Sequence, residues 1–293
     1  MTAAPRIGDI EVFRIGLGTM PMSVPGRPSE DDAIRTIHAA VDAGVNLIDT
    51  ADAYSDGERD MGRGERLIAK ALKGHPRRDE LIVATKGGHT RSDGDGDWGL
   101  DGSRDYLRRA CERSLRALET DSIDLYQYHR PDPEVSIADV AGTLAELRDE
   151  GKIRHAGLSN VTVAQLEEAE AIVPIAAVQN QLSLEFTSPI AKGEVAACAA
   201  RGIPLLAWTP LGGIPESPGS AVAKAAESHG VSPQRVALAW LLSLSPALVP
   251  IPGSRRPATI EDSVKAVELM LEPAELDAID AEAGVDRAPL SAG

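Results

Sequence analysis

The stretch "SEDDAIRTIHAAVDAGVNLID" (residues 29–49) joins two patterns of different period. In its first part Ile34, Ile37 and Val41 share one helical face, Ser29 stands at a capping position, and Asp32 sits at the matching third residue. Gly44 stops that helix, because glycine enters the left-handed conformation at no steric cost. The run "VNLID" (45–49) then has the length and apolar character of a buried strand.

The alternation fills the chain. Short apolar runs recur as "RIGLG" (14–18), "VNLID" (45–49), "LIVATK" (81–86), "IDLYQYH" (123–129), "RHAGLS" (154–159), "AAVQNQ" (176–181), "PLLAW" (204–208) and "ALVPIP" (247–252). Each is followed by a stretch of helical period; in "SPQRVALAWLLSL" (232–244) Ser232 caps and Pro233 takes the first helical position. Eight strands alternating with helices at roughly even spacing predict a closed (β/α)8 TIM barrel rather than an open doubly wound sheet. The opening "RIGDIEVFRIG" (6–16) predicts an extra N-terminal β-hairpin. No linker or low-complexity segment divides residues 1–293, so a single barrel domain is expected. The Gly- and Asp-rich "GGHTRSDGDGDWGLDGS" (87–103) is expected to be an irregular, mobile loop at one mouth.

Composition narrows the function classes. With 43% apolar residues the chain can bury a large core, and with 3% aromatics that core is mostly aliphatic. The net charge of −15 argues against nucleic acid or an anionic membrane as partner. An anionic small ligand would need a local basic pocket. Cys111 and Cys198 lack CxxC spacing and read as buried free thiols. No basic-then-apolar leader opens the chain, and the stretch 236–252 is broken by Ser243, Ser245, Pro246 and Pro250. A soluble cytoplasmic protein is expected.

Barrel enzymes carry their chemistry at the C-terminal ends of the strands. The second run ends in Asp49, with Tyr54 in the following loop; the third ends in Lys86 and the fourth in His129. Ser159 and Asn160 end the fifth, Gln179 lies on the sixth, and Trp208 and Thr209 end the seventh. Taken singly, a strand-end acid caps, a loop tyrosine packs and a lone histidine is structural. Together, acid, phenol, ammonium and imidazole form a proton-donor site. A free phenol with a pKa near 10 is a weak donor, and an adjacent ammonium held by a carboxylate is expected to lower that value. The set suits reduction of a C=O group, where hydride arrives at carbon and Tyr54 protonates oxygen.

Other chemistries fit less well. "IGLGTMP" (15–21) has Pro21 where a dinucleotide fingerprint needs glycine, and "GLSNV" (157–161) lacks the last glycine of a nucleophile elbow. No HExxH or clustered Cys/His suggests a metal. A Schiff-base lyase using Lys86 stays open as an alternative. For the hydride source, "IPGSRRPATIED" (251–262) offers the amides of Gly253 and Ser254, the pair Arg255 and Arg256, and a helix starting near Thr259. A basic pair in an acidic protein suits a 2′-phosphate, hence NADPH over NADH. Trp208 offers a flat stacking surface, and Ser159, Asn160 and Gln179 have groups for a carboxamide.

At this point the chain resembles the aldo-keto reductase family over almost its full length, in its compact bacterial form, pyridoxal reductases among them. The likeness rests on "IDTADAY" (48–54), "VATK" (83–86), "DLYQYHRPD" (124–132), "GKIRHAGLSN" (151–160), "AVQNQLS" (177–183) and "IPGSRRP" (251–257). It implies Asp49, Tyr54, Lys86 and His129 as a catalytic tetrad with Tyr54 as general acid. It implies an NADPH site from Ser159, Asn160, Gln179, Trp208, Thr209, Pro210, Leu211, Gly212, Pro252, Gly253, Ser254, Arg255, Arg256, Thr259 and Asp262. Trp208 stands where the family commonly has tyrosine, Ser263 where it commonly has Asn, and Gly253 and Thr259 where some branches have basic residues. The loop 211–219 and the tail after Leu271 look trimmed. Met20, Met22, Trp98 and Tyr128 are candidates for the substrate wall. A small-molecule carbonyl substrate and a monomer or weak homo-oligomer are expected. Some members of the family serve as channel subunits, so a cofactor-binding regulatory barrel with slow turnover is a further alternative.

Overall fold

In the computed structural model of the protein, residues 4–92, 97–214, 217 and 219–291 are described. The chain opens with a hairpin, β1 (Arg6–Ile7) and β2 (Ile10–Glu11). Then come β3 (Leu17–Gly18), β4 (Leu47–Asp49), β5 (Ile82–Gly87), β6 (His89–Arg91), β7 (Trp98–Leu100), β8 (Ile123–Tyr128), β9 (Ile153–Ser159), β10 (Ile175–Gln181), β11 (Leu205–Trp208) and β12 (Leu248–Pro250). The helices are α1 (Glu30–Asp42), α2 (Arg63–Leu72), α3 (Arg104–Leu118), α4 (Ile137–Asp149), α5 (Val163–Glu170), α6 (Ser188–Ala191), α7 (Glu194–Arg201), α8 (Ala221–His229), α9 (Pro233–Leu244), α10 (Pro257–Val264) and α11 (Pro273–Ala283).

The predicted caps form. The Ser29 side chain accepts from the Asp32 amide at the start of α1, and Gly44, at φ +100°, ends it. Ser232 caps α9 with Pro233 in the first turn. Eight parallel strands run in the order β12-β11-β10-β9-β8-β5-β4-β3. The ends of that order meet: the Gly16 amide donates to the Pro250 carbonyl at 2.9 Å, the Gly18 amide to the Pro252 carbonyl at 3.1 Å, and Gly18 bridges Gly253. A Cβ on Gly18 would stand 2.8 Å from the Ile251 carbonyl oxygen, so this close seam requires glycine. The (β/α)8 barrel is therefore closed.

Strand alternation decides which residues face the barrel axis. Leu47, Ile82, Ala84, Leu125, Ala177, Leu206 and Val249 fill its interior, over Ile7 and Val12 from the N-terminal segment. Ile48, Val83, Tyr126, Tyr128, Leu158, Val178 and Leu205 have the opposite parity and pack on the helices. Continuing the inward series toward the C-terminal ends brings Asp49, Lys86, Gln127, Gln179 and Trp208 into one mouth. No helix of the described residues is long and apolar enough to cross a membrane.

The structure corrects the expectation of an irregular stretch over 87–103. His89–Arg91 and Trp98–Leu100 pair as an antiparallel ribbon, with Arg91 opposite Trp98 and His89 opposite Leu100. The Arg91 guanidinium stacks on the Trp98 ring at 4.1 Å. Residues 93–96, between these arms, lie outside the described ones.

Candidate active site

A cavity of about 460 Å³ opens at the C-terminal end of the barrel. Asp49, Tyr54 and His129 line it, with Gly18, Met20, Pro21, His89, Trp98 and Arg130 beside them. Ser159, Asn160, Gln179, Trp208, Thr209, Ile251 and Gly253 complete the wall.

Lys86 lies beneath this floor and is fully buried. Its Nζ donates to Asp49 Oδ2 at 2.6 Å, to the Thr50 carbonyl at 2.8 Å and to the Tyr54 hydroxyl at 3.2 Å. All three ammonium protons are thereby used. Asp49 Oδ1 accepts from Gln179 Nε2 at 2.8 Å and from Gln127 Nε2 at 3.3 Å. The acid is thus held from β5 on one side and from β8 and β10 on the other. The His129 ring stands edge-on to Tyr54 at 5.7 Å and to His89 at 4.3 Å.

The electrostatics depart from expectation at Tyr54. Burial is the strongest influence and holds the phenol above its ordinary pKa, Lys86 pulling the other way and Asp49 adding to the rise. The expected fall is corrected: desolvation outweighs the neighbouring ammonium. Burial also opposes the charge on Lys86, but Asp49 and Tyr54 together raise its pKa. Burial, then Lys86, His89 and Arg130, hold His129 well below the ordinary histidine value, so its imidazole is neutral at neutral pH. His129 Nδ1 is buried and has no hydrogen-bond partner among the described residues.

The opposite wall carries the residues expected to hold a nicotinamide. Ser159 Oγ donates to the Gln179 carbonyl at 2.8 Å. Asn160 Nδ2 donates to the His129 carbonyl at 3.0 Å, and Asn160 Oδ1 accepts from Trp208 Nε1 at 3.2 Å. Asn160 and Thr209 both adopt the left-handed conformation, at φ +61° and +50°. Such strain in non-glycine residues clusters at functional sites. Past β12, Ser254 Oγ is buried without a partner among the described residues, while Arg255 and Arg256 are exposed. An orphaned hydroxyl, the Gly18–Gly253 seam and a half-buried indole together fit a nicotinamide nucleotide.

Not every expected residue reaches the cavity. Met22 packs in the core, 2% exposed, because its short 3-10 turn directs Met20 outward and Met22 in. Tyr128 has the outward parity of β8, and its hydroxyl accepts from the Asp132 amide at 2.7 Å. Both are corrected from substrate wall to structural positions, whereas Met20 and Trp98 line the mouth. Pro210 is buried, Leu211 packs partly on the core, and Gly212 faces Glu185. Pro252 is buried at the seam, and Thr259 accepts from Ser263 Oγ. Asp262 is engaged by Arg235 and Ser232, which tie α10 to α9. The sequence reading omitted His89, Gln127 and Arg130. Gln127 stood two residues before His129 on the same strand face, which was signal enough.

Below Tyr54 the chain is tied to α3. Asp52 Oδ2 pairs with Arg113 at 3.0 Å, Arg113 reaches the Tyr106 hydroxyl at 3.4 Å, and that hydroxyl donates to the His89 carbonyl at 2.6 Å. Burial, then the nearby Glu65 carboxyl, push Asp52 up to about 8, with Arg113 opposing. A raised carboxyl favours folding most at low pH, and that contribution is lost as pH climbs from about 4, the unfolded value, toward 8. Asp52→Asn is therefore expected to flatten the decline of Tm between those limits. Thermal melts across the pH series check it, and parallel curves for variant and parent would refute it.

The model of the Aldo/keto reductase family matches residues 14–215 and 219–283. The chain is 35% identical over 273 residues to a 6-dehydroglucose reductase of Novosphingobium aromaticivorans, covering 89% of this chain and 88% of that one. It is 30% identical over 305 residues to an aldo-keto reductase of Schizosaccharomyces pombe whose name specifies NADP(+), covering 92% and 88%. The structure of a glycerol dehydrogenase from Gluconobacter oxydans superposes with a TM-score of 0.80 at 27% identity, covering 95% and 94%.

Proposed function

The chain belongs to the aldo/keto reductase family of oxidoreductases, and on that premise we propose that it reduces an aldehyde or ketone to an alcohol with NADPH, Tyr54 giving the proton. The observation that carries this reading is Lys86 Nζ bridging Asp49 and Tyr54 on the floor of the cavity, with His129 beside the phenol.

A bound nicotinamide would supply the hydride. Trp208, Ser159 and Asn160 would hold its ring end, and Ser254 with Arg255 and Arg256 the phosphate end. The relative named for NADP(+) and the exposed arginine pair support NADPH over NADH. Tyr54 keeps its proton through the neutral range because burial raises its pKa. It can therefore donate a hydrogen bond to a carbonyl oxygen and then the proton itself. Lys86 stabilises the phenolate left behind, and Asp49, fixed by two glutamines, keeps Lys86 charged and in place. Neutral His129 offers a second polar contact to the same oxygen. The Schiff-base alternative needs an uncharged amine; Lys86 has a raised pKa and three acceptors, which disfavours it.

Mixing the protein with NADPH and an activated aromatic aldehyde is expected to bleach the nicotinamide absorbance. Tight NADPH binding without turnover over a broad carbonyl panel would instead indicate a cofactor-sensing barrel. Replacing Arg255 and Arg256 together by Ala is expected to raise KM for NADPH by about tenfold or more, since each charge-assisted contact contributes about 1.5–3 kcal/mol. KM for NADH should shift far less; an equal shift for both cofactors counts against a 2′-phosphate contact.

A further inference from the structure

We infer that the cavity takes a carbonyl compound bearing an anionic group, a carboxylate or a phosphate, whose charge is held by Arg130. The inference rests on the reductase reading of the same site and names its substrate class.

Arg130 follows β8, directly after His129, and lines the cavity. It is exposed and has no hydrogen bond or ion pair among the described residues. Arg113, by contrast, is paired with Asp52, and Arg91, which also makes no ion pair among the described residues, is buried against Trp98 rather than exposed. The other cation of the site, Lys86, has all its protons engaged. On its side of the mouth Arg130 is therefore an exposed cation lining the cavity with donors to offer. Its charge reaches the reacting groups, since it helps to depress the pKa of both His129 and His89.

Topology separates this charge from the one expected of a nucleotide. In the closed strand order β8 lies four places from β12 in either direction. Arg130 thus stands diametrically across the mouth from the Ser254–Arg256 loop, so an anion there and a cofactor phosphate would occupy opposite rims. Between them lie Tyr54 and His129, where a carbonyl would sit. A guanidinium presents a fork of donors matched to carboxylate or phosphate oxygens, and such a partner would engage donors that Arg130 leaves open. His89 stands alongside with Nδ1 on the Gly99 carbonyl at 2.9 Å, leaving Nε2 as its second polar atom.

The test compares charged substrates with neutral twins. Steady-state kinetics use para-carboxybenzaldehyde against its methyl ester, and glyceraldehyde phosphate against glyceraldehyde, with the parent protein, Arg130→Gln and Arg130→Lys. The ratio of kcat/KM for anion over neutral twin is expected to fall about tenfold or more in Arg130→Gln, mainly through KM, and to recover in part in Arg130→Lys. The aldehyde pair showing the larger fall identifies carboxylate or phosphate. A parent without preference for the anion, or a ratio unmoved by Arg130→Gln, overturns the inference while leaving the reductase reading intact. A binding arm covers failure of that reading. Para-hydroxymethylbenzoate and its methyl ester are titrated against tryptophan fluorescence, since Trp98 and Trp208 line the cavity. Without turnover of any carbonyl, acid-selective quenching lost in Arg130→Gln still upholds Arg130 as the anion contact, and its absence refutes it.

Discussion

Replacing Tyr54 by Phe is expected to lower kcat by about 10²–10⁴-fold, the usual contribution of a positioned general acid. The substitution removes one oxygen and leaves the ring, which packs edge-on to His129 and Trp98. Lys86 keeps Asp49 and the Thr50 carbonyl as acceptors, so the floor of the site should hold. The loss should therefore appear in kcat with little change in NADPH affinity, because the hydroxyl acts on the transition state. The direction of the Tyr54 shift adds a pH signature. An acid whose pKa stands above the ordinary phenol near 10 stays protonated throughout the neutral range. Carbonyl reduction by the parent should then be level in pH through neutrality and fall only in strong alkali. Stopped-flow and steady-state rates for both proteins decide the matter, and a variant retaining most of its rate would remove Tyr54 from the chemistry.

Lys86→Met is expected to abolish activity and also to weaken the fold, and the two losses can be separated. Asp49 is 2% exposed, and without the ammonium it becomes a buried carboxylate with only amide partners. Breaking a buried pair in this way costs about 3–5 kcal/mol, enough to lower Tm on the order of 10 °C. Replacing both members of such a pair is far gentler. The double variant Asp49→Asn/Lys86→Met should therefore melt close to the parent. It should still lack activity by on the order of 10²–10³-fold, because the phenolate has lost its electrostatic support. Calorimetry and turnover measured on the same preparations test this. A double variant as unstable as the single would show that Lys86 contributes through packing rather than charge.

Much of this site was legible in the sequence because two simple rules converge on it. Strand alternation assigns Asp49, Lys86 and His129 to one face, and the barrel places that face at a mouth. The same alternation, applied to β8, would have excluded Tyr128 and admitted Gln127. Met22 escaped because a three-residue 3-10 turn has no long-range period to read. The segment around His89 and Trp98 was obscured by its Gly- and Asp-rich neighbours, although the pairing of its arms needs only three residues on each side. The direction of the Tyr54 shift was beyond sequence reading, since depth of burial is a property of the assembled barrel. Arg130 was visible as a residue, but its place in the cavity wall and its lack of a partner emerge only from the assembled structure.

The Gly18–Gly253 seam joins two segments more than two hundred residues apart in the chain. The proposed tetrad lies between residues 49 and 129, whereas the loop proposed to hold the cofactor phosphates follows β12. A chain grown only to residue 129 would thus carry the proposed proton-handling groups and lack the strand that closes the barrel around them. The ring closes only when β12 and the segment after it reach β3, so a chain ending before Gly253 would hold the proposed acid–base groups in a sheet that is still open.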